Sequence, residues 1–228
     1  MTAAANGNRN GGVARETANV FTGILLALII TSTLDVFFKN FQNYTSATEF
    51  IHAVGLNLGS GTLATLQLLV FLFTVIRFYW GVLRYNEAVS PVEGTPHLFL
   101  GLTGAVVLFS TFYVTGLMVR NPSMFYWTLA VANLIDLSWF LILSWFLTGD
   151  AWLPRTPQIQ KIWRWYVIFD FLTLTALLLL IWFRYVCPRY YHIFNGVALA
   201  AVAGIGTWDL HRFWAYYTKA DNWEQTIR

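Results

Sequence analysis

The sequence predicts an all-α integral membrane protein with six transmembrane helices and both termini in the cytoplasm. Three observations carry that prediction. Hydrophobic residues make up 57% of the 228 and charged residues only 11%, whereas soluble domains are about a quarter charged. The apolar residues gather into six runs, at 20–38, 62–83, 98–119, 124–147, 162–185 and 190–214. At about 1.5 Å per residue, runs of this length cross the roughly 30 Å of a bilayer's hydrocarbon as helices. Finally, the Lys and Arg residues near the run ends are unequally shared. Arg9, Arg15, Arg84, Arg155, Lys161, Arg164, Arg212, Lys219 and Arg228 fall on the side of the N-terminus, against Lys39, Arg120, Arg184 and Arg189 on the other. The positive-inside rule makes the richer side cytoplasmic.

This pattern implies a disordered Gly/Asn/Ala-rich tail over 1–14, a six-helix transmembrane domain over 15–217 and a short C-terminal tail over 218–228. It leaves no room for a soluble catalytic module. Aromatics reach 18%, with 11 Trp, which suits interfacial belts and helix packing. A net charge of +3 gives no reason to expect a nucleic-acid partner. The single cysteine, Cys187, excludes an intrachain disulfide and a thiolate metal site.

The first run, Val20 to Phe38, lacks a small-residue cleavage site and reads as a retained helix. Thr22, Thr31, Ser32 and Thr33 lie within it, and Asp35 lies near its end. Steps of three and four residues place Ile24, Leu28, Thr31 and Asp35 on one helical line, a candidate pore lining. Beyond it, Ser46-Ala47-Thr48-Glu49 has capping-box spacing, with Phe50, Ile51, Val54 and Leu58 at helical intervals. That stretch predicts a short amphipathic helix on the outer surface, ended by Gly59-Ser60-Gly61.

The second run carries Arg77 about two turns from its inner end, with Tyr79, Trp80 and Tyr85 as interfacial anchors. Arg77 either snorkels to the cytoplasmic interface or pairs with an acid on another helix. Breakers in Ser90–Pro96 start the third run sharply, and Asn121-Pro122 makes a tight turn into the fourth. Asn133 and Asp136 lie three apart in the fourth run and share a face. An ionised carboxylate at that depth is costly, so Asp136 must be protonated, paired or wet. The fifth run holds Asp170 and Thr173, and the sixth holds Asn195 and Asp209. Arg77, Asp170 and Asp209 fall at similar inner depths, which points to a structural ion-pair cluster or to a gate or proton path. Gly196, Ala200 and Gly204 recur every fourth residue and offer a smooth face for close helix packing.

Several chemistries find no support. His52, His97, His192 and His211 fall in loops or near run ends, whereas intramembrane haem needs facing His pairs inside spans. There is no H-E-x-x-H, G-x-S-x-G or P-loop pattern. No catalytic residue, cofactor or metal site is expected. Asp136 and Asp170 lack the flanking motifs of a membrane aspartyl protease.

Arg15, then Val20-Phe21-Thr22-Gly23 and the aliphatic stretch Ile24 to Thr31, followed by Tyr79-Trp80 and Arg84, resemble the first two helices of the endolysosomal potassium-channel family and its six-helix bacterial relatives. Of that family's Phe-Ser-Asp-Gly motif only the glycine aligns, at Gly23, and the histidines after Tyr-Trp are missing. The resemblance implies a homotetramer whose first helix lines a pore for monovalent cations such as potassium, in a bacterial inner membrane. The short tails offer no ligand-binding domain, so gating would fall to voltage, tension, pH or a separate regulatory protein. Two further functions stay open: a small proton-coupled carrier using Asp136, and a non-transporting scaffold or sensor.

Overall fold

Proline placement decides where helices can begin. Among the described residues Pro96, Pro122, Pro157 and Pro188 each lie within the first two residues of a helix or 3-10 turn, where the missing N–H costs nothing. The apolar runs are therefore free to form unbroken helices. A computed structural model describes residues 2–39, 61–89, 95–119, 121–142 and 157–217, and among these the regular structure is entirely helical. The long helices are α1 (Thr2–Phe38), α2 (Gly61–Val89), α3 (Thr95–Leu117), α4 (Pro122–Leu141), α5 (Pro157–Val186) and α6 (Tyr191–Arg212). A 3-10 turn, Pro188–Tyr190, joins α5 to α6, and a single turn, α7 (Trp214–Tyr217), follows α6. Five of the helices are long and apolar enough to cross a membrane. The described side chains of α3 give a shorter apolar stretch, Gly101–Leu117.

Three expectations meet a different backbone or lie beyond it. The helix α1 starts at Thr2 and so runs through the segment read as a disordered tail over 1–14. The amphipathic helix expected after Ser46 and the C-terminal tail over 218–228 lie outside the described residues. At the α3–α4 turn the expected geometry is present. The Asn121 side chain accepts a hydrogen bond from the Met124 backbone N–H at 3.3 Å, with Pro122 opening the helix.

Helices α2, α3, α4, α5 and α6 pack in sequence and close into a ring where α6 meets α2, while α1 lies outside it against α2 and α3. Phe71, Phe109, Phe112, Phe125 and Leu129 fill the main core. The Phe71 ring meets those of Phe112 and Phe125 edge-on, at 6.3 and 5.8 Å. A smaller cluster of Ile162, Trp163, Tyr166, Phe169, Phe213 and Tyr217 closes the end of the ring near the start of α5 and the end of α6. The outer surface carries exposed Leu69, Val107, Leu134, Leu179, Trp182 and Val197 on five different helices, a distribution that suits acyl chains rather than water. The hydroxyls of Thr22 and Thr74 each donate back to the carbonyl four residues earlier, both at 2.7 Å. That bond removes the cost of placing them in an apolar helix.

Close helix approach uses other glycines than the stripe Gly196, Ala200, Gly204. A Cβ on Gly196 or Gly204 would meet nothing, and Ala200 and Gly204 are exposed, so within one chain the stripe faces outward. The tight approaches are at Gly206, where a Cβ would come within 2.6 Å of the Phe73 ring, and at Gly116, which packs onto the Thr33 hydroxyl.

Candidate functional site

Five chain segments bring ionisable groups to one point near the smaller cluster. α2 supplies Arg77, α4 Asp136, α5 Asp170 and Tyr166, α6 Asp209, and α7 Tyr217. All are buried, with Asp170 and Asp209 at 0% exposure and Asp136 at 4%. The Arg77 Nε donates to Asp209 Oδ2 at 2.6 Å, and its Nη2 lies 3.9 Å from Asp170 Oδ1. Its guanidinium also sits 5.2 Å from the centre of the Phe78 ring. Of the two fates open to Arg77, pairing prevails over snorkelling, because the acids of α5 and α6 stand at its own depth.

α7 completes the arrangement. The Asp209 carbonyl accepts from the Phe213 N–H at 3.0 Å, and the chain turns there into α7. Tyr217 then points back into the ring. Its hydroxyl donates to Asp209 Oδ2 at 2.9 Å and accepts from the Tyr166 hydroxyl at 2.7 Å. Its backbone carbonyl accepts two bonds from Arg84, from Nε at 3.1 Å and Nη2 at 2.6 Å, so the last carbonyl of this turn is held by a buried cation. Burial first, and then the Asp209 carboxylate beside it, holds the Tyr217 phenol well above the usual tyrosine range.

The carboxyls outnumber their donors. Asp136 and Asp170 lie in side-chain contact across α4 and α5. Two ionised carboxylates have only acceptors to offer, so a proton between them would stabilise such a contact. Both oxygens of Asp170 and the Oδ1 of Asp209 lack a protein donor. Asn133 does not help: its amide Nδ2 donates to the Leu129 carbonyl of its own helix at 2.8 Å, and its Oδ1 is unmatched.

Beside these groups lies a cavity of about 200 Å³. Its walls are apolar and come from Phe78 and Val82 of α2, Gly104 and Leu108 of α3, and Ile135 and Trp139 of α4. Its polar end is formed by Arg77, Asp136, Tyr166 and Tyr217. Asp136 is the carboxyl that faces the space, and Asp170 stands behind it.

No family model, curated protein or solved structure matches the chain. The site is therefore argued from its own geometry. It brings together four of the intramembrane residues singled out in the sequence: Arg77, Asp136, Asp170 and Asp209. The line on α1 lies elsewhere. Ile24, Leu28, Thr31 and Asp35 are exposed on the outer side of the bundle, and the Asp35 carboxylate is bridged by Lys39 at 2.6 Å. The face of α1 that packs inward is Ala18, Thr22, Ile29, Thr33 and Phe37. Sequence reasoning missed Tyr166, Tyr217 and Arg84. A signal for Tyr217 was present: it lies eight residues after Asp209, two helical turns, which a kinked continuation of α6 would place on the same face.

Proposed function

We propose that this protein is a small proton-coupled membrane carrier. One observation carries the reading: Asp136 is buried, lines a largely apolar cavity among the ring helices, and stands beside a second carboxyl, Asp170. A carboxyl that exchanges a proton for a cargo must sit at the cargo site, be reachable through it, and be stable in both states. Asp170 supplies a place for the shared proton. The Arg77–Asp209–Tyr217 assembly fixes α2, α6 and α7 around the pair and keeps the remaining charge balanced. The reading includes six spans, with α3 as the shortest, cytoplasmic N- and C-termini set by the Lys/Arg distribution, and a bacterial inner membrane as the location.

The test is gradient-driven exchange. Proteoliposomes are loaded with panels of small amines, amino acids, sugars and carboxylates, and an internal pH dye follows collapse of an imposed proton gradient. Collapse should depend on one cargo class, saturate with its concentration, and vanish in a folded Asp136→Asn variant. Cargo-dependent collapse that persists in that variant would defeat the assignment.

A second reading rests on a different observation, the outward line of Ile24, Leu28 and Thr31 on α1. In a homotetramer these positions would meet around an axis and form a pore for monovalent cations, as in the potassium-channel family that the first two helices resemble. Conductive potassium flux without a proton gradient would favour it.

A further inference from the structure

The chemistry of the cargo follows from charge, size and access. Arg77 and Asp209, 2.6 Å apart, balance one another. Three carboxyls, Asp136, Asp170 and Asp209, gather around the single cation Arg77, so acid stands in excess there. The groups facing the Asp136–Asp170 pair are Arg77 from α2, Tyr166 from α5, Asp209 from α6 and Tyr217 from α7. α3 places no titratable side chain among the described lining residues. Arg77 is held by Asp209, and Tyr217 is spent on Asp209 and Tyr166. Asp136 is thus 4% exposed and lines the cavity, with the Asp170 carboxyl beside it and no basic side chain bonded to it among the described residues. What would complete it is a cation.

Size sets the body of that cation. An apolar cavity of about 150 Å³ holds benzene, so the roughly 200 Å³ here holds one ring and a small charged group. Phe78, Trp139, Phe140 and Tyr166 line it, and aromatic faces attract organic ammonium groups. Access is from the side. Thr103 and Val107 line the cavity and are also exposed on the outer surface of α3. They lie about 12 and 18 Å along the helix from its start, within the depth that acyl chains would occupy.

We propose that the cavity takes an organic cation with a one-ring apolar body from the bilayer, its charged nitrogen seated on the Asp136 carboxylate. The assignment rests on the carrier reading for its purpose, while the binding chemistry stands on the cavity itself. A cation brings the Asp136–Asp170 pair to neutrality, as a second proton does. The two therefore compete, and one proton leaves when a cation binds the doubly protonated pair.

The experiment uses the full chain in detergent and radiolabelled benzyltrimethylammonium, whose charge does not change with pH. Benzyl alcohol and phenylacetate serve as neutral and anionic competitors of similar shape. Binding should saturate, resist both competitors, and weaken about tenfold per unit fall in pH once the pair takes its second proton. Calorimetry in two buffers of different ionisation heat should then show release of one proton per cation. Asp136→Asn, checked for folding by its melting profile, should lose at least tenfold in affinity. The pH competition and the proton count need no variant, so they decide the matter even if that substitution misfolds. Equal competition by the alcohol or the anion, unchanged binding in folded Asp136→Asn, or no saturable binding overturns the cation assignment. The carrier reading fails on a separate readout: with cation binding intact, absence of Asp136-dependent gradient collapse in liposomes would leave a binding site without transport.

Discussion

Two ion pairs in this chain have the same length and opposite surroundings. Arg77 and Asp209 meet at 2.6 Å with side chains 8% and 0% exposed. Asp35 and Lys39 also meet at 2.6 Å, across the C-terminal end of α1, with side chains 56% and 61% exposed. Distance alone ranks them equal. What separates them is what happens when one partner is removed. An exposed group regains water or headgroup contacts, whereas a buried one keeps its charge in a low-dielectric interior. The contrast also explains placement. The buried pair ties three separate chain segments together, α2 to α6 directly and α7 through Tyr217, whereas the exposed pair spans only positions i and i+4 of a single helix.

The largest effect should therefore come from Arg77→Met. It leaves Asp209 and Asp170 without their cation and should cost about 3–5 kcal/mol, seen as loss of the monodisperse particle or a large fall in melting temperature. Arg77→Met combined with Asp209→Asn should recover part of that loss, because the double variant leaves no such unpaired charge at Asp209. Additive damage in the double-mutant cycle would show that the two do not act as a pair. Lys39→Met is the control, and equal damage from both would erase the contrast between the two sites.

Tyr217→Phe sharpens the buried side of the comparison. It deletes the hydroxyl that donates to Asp209 and accepts from Tyr166. A hydrogen bond to a charged group is worth about 1.5–3 kcal/mol. The phenol is held above its usual range in the fold, so the folded state grips that proton more tightly than the unfolded chain does. Its stabilisation is complete below about pH 10, the ordinary tyrosine value, and is lost as pH rises through the raised value. Wild-type protein should exceed the variant by its full margin at neutral pH, and alkaline melts should bring the two together. A margin independent of pH would mean that the hydroxyl contributes only packing.

The same inward and outward distinction shows in sterics. Gly206 and Gly204 are two residues apart on α6, yet a Cβ meets Phe73 at the first and nothing at the second. Gly206→Leu should cost about 1–3 kcal/mol through overpacking, and Gly204→Leu should be close to neutral in the single chain. A similar penalty at both positions would indicate that another helix or another copy covers the stripe.

The sequence made the helices legible because a membrane span is a matter of length and apolarity. Proline at the starts of α3, α4 and α5 sharpened the boundaries further. The depth of Arg77, Asp170 and Asp209 was legible for the same reason, since residue counts from a span end translate directly into height. Which face of each helix turns inward was not. Hydroxyls and glycines occur on both faces of α1 and α6, and with lipid outside, the outer face is as apolar as the core, so no amphipathic signal marks it. Gly206 and Gly204 look alike in sequence for this reason. Tyr217 was hidden differently. It lies past the end of a span, where composition reads as interface, and the Phe213 turn that swings it inward has no glycine or proline to announce it.

The smallest stability effect, and the sharpest functional one for the rival reading, belongs to Asp35 and Lys39. An exposed i, i+4 pair is worth about 0.3–0.5 kcal/mol, so Asp35→Asn and Lys39→Gln should leave the melting profile nearly unmoved. If α1 stays on the outside of the bundle in the working protein, ion flux should be equally indifferent, and Ile24→Asn or Leu28→Asn should raise no leak. If copies instead gather around α1, the apolar rings formed by Ile24 and Leu28 would hold water back, and a polar substitution would wet them and increase leak. Asp35 would then concentrate cations only as far as Lys39 fails to cancel it. Lys39→Gln should accordingly raise cation conductance, Asp35→Asn should lower it, and both changes should fade at high salt through screening. Opposite responses to the two substitutions at low salt would place α1 on a pore. A flat response from both, alongside gradient exchange that requires Asp136, would place transport inside the ring.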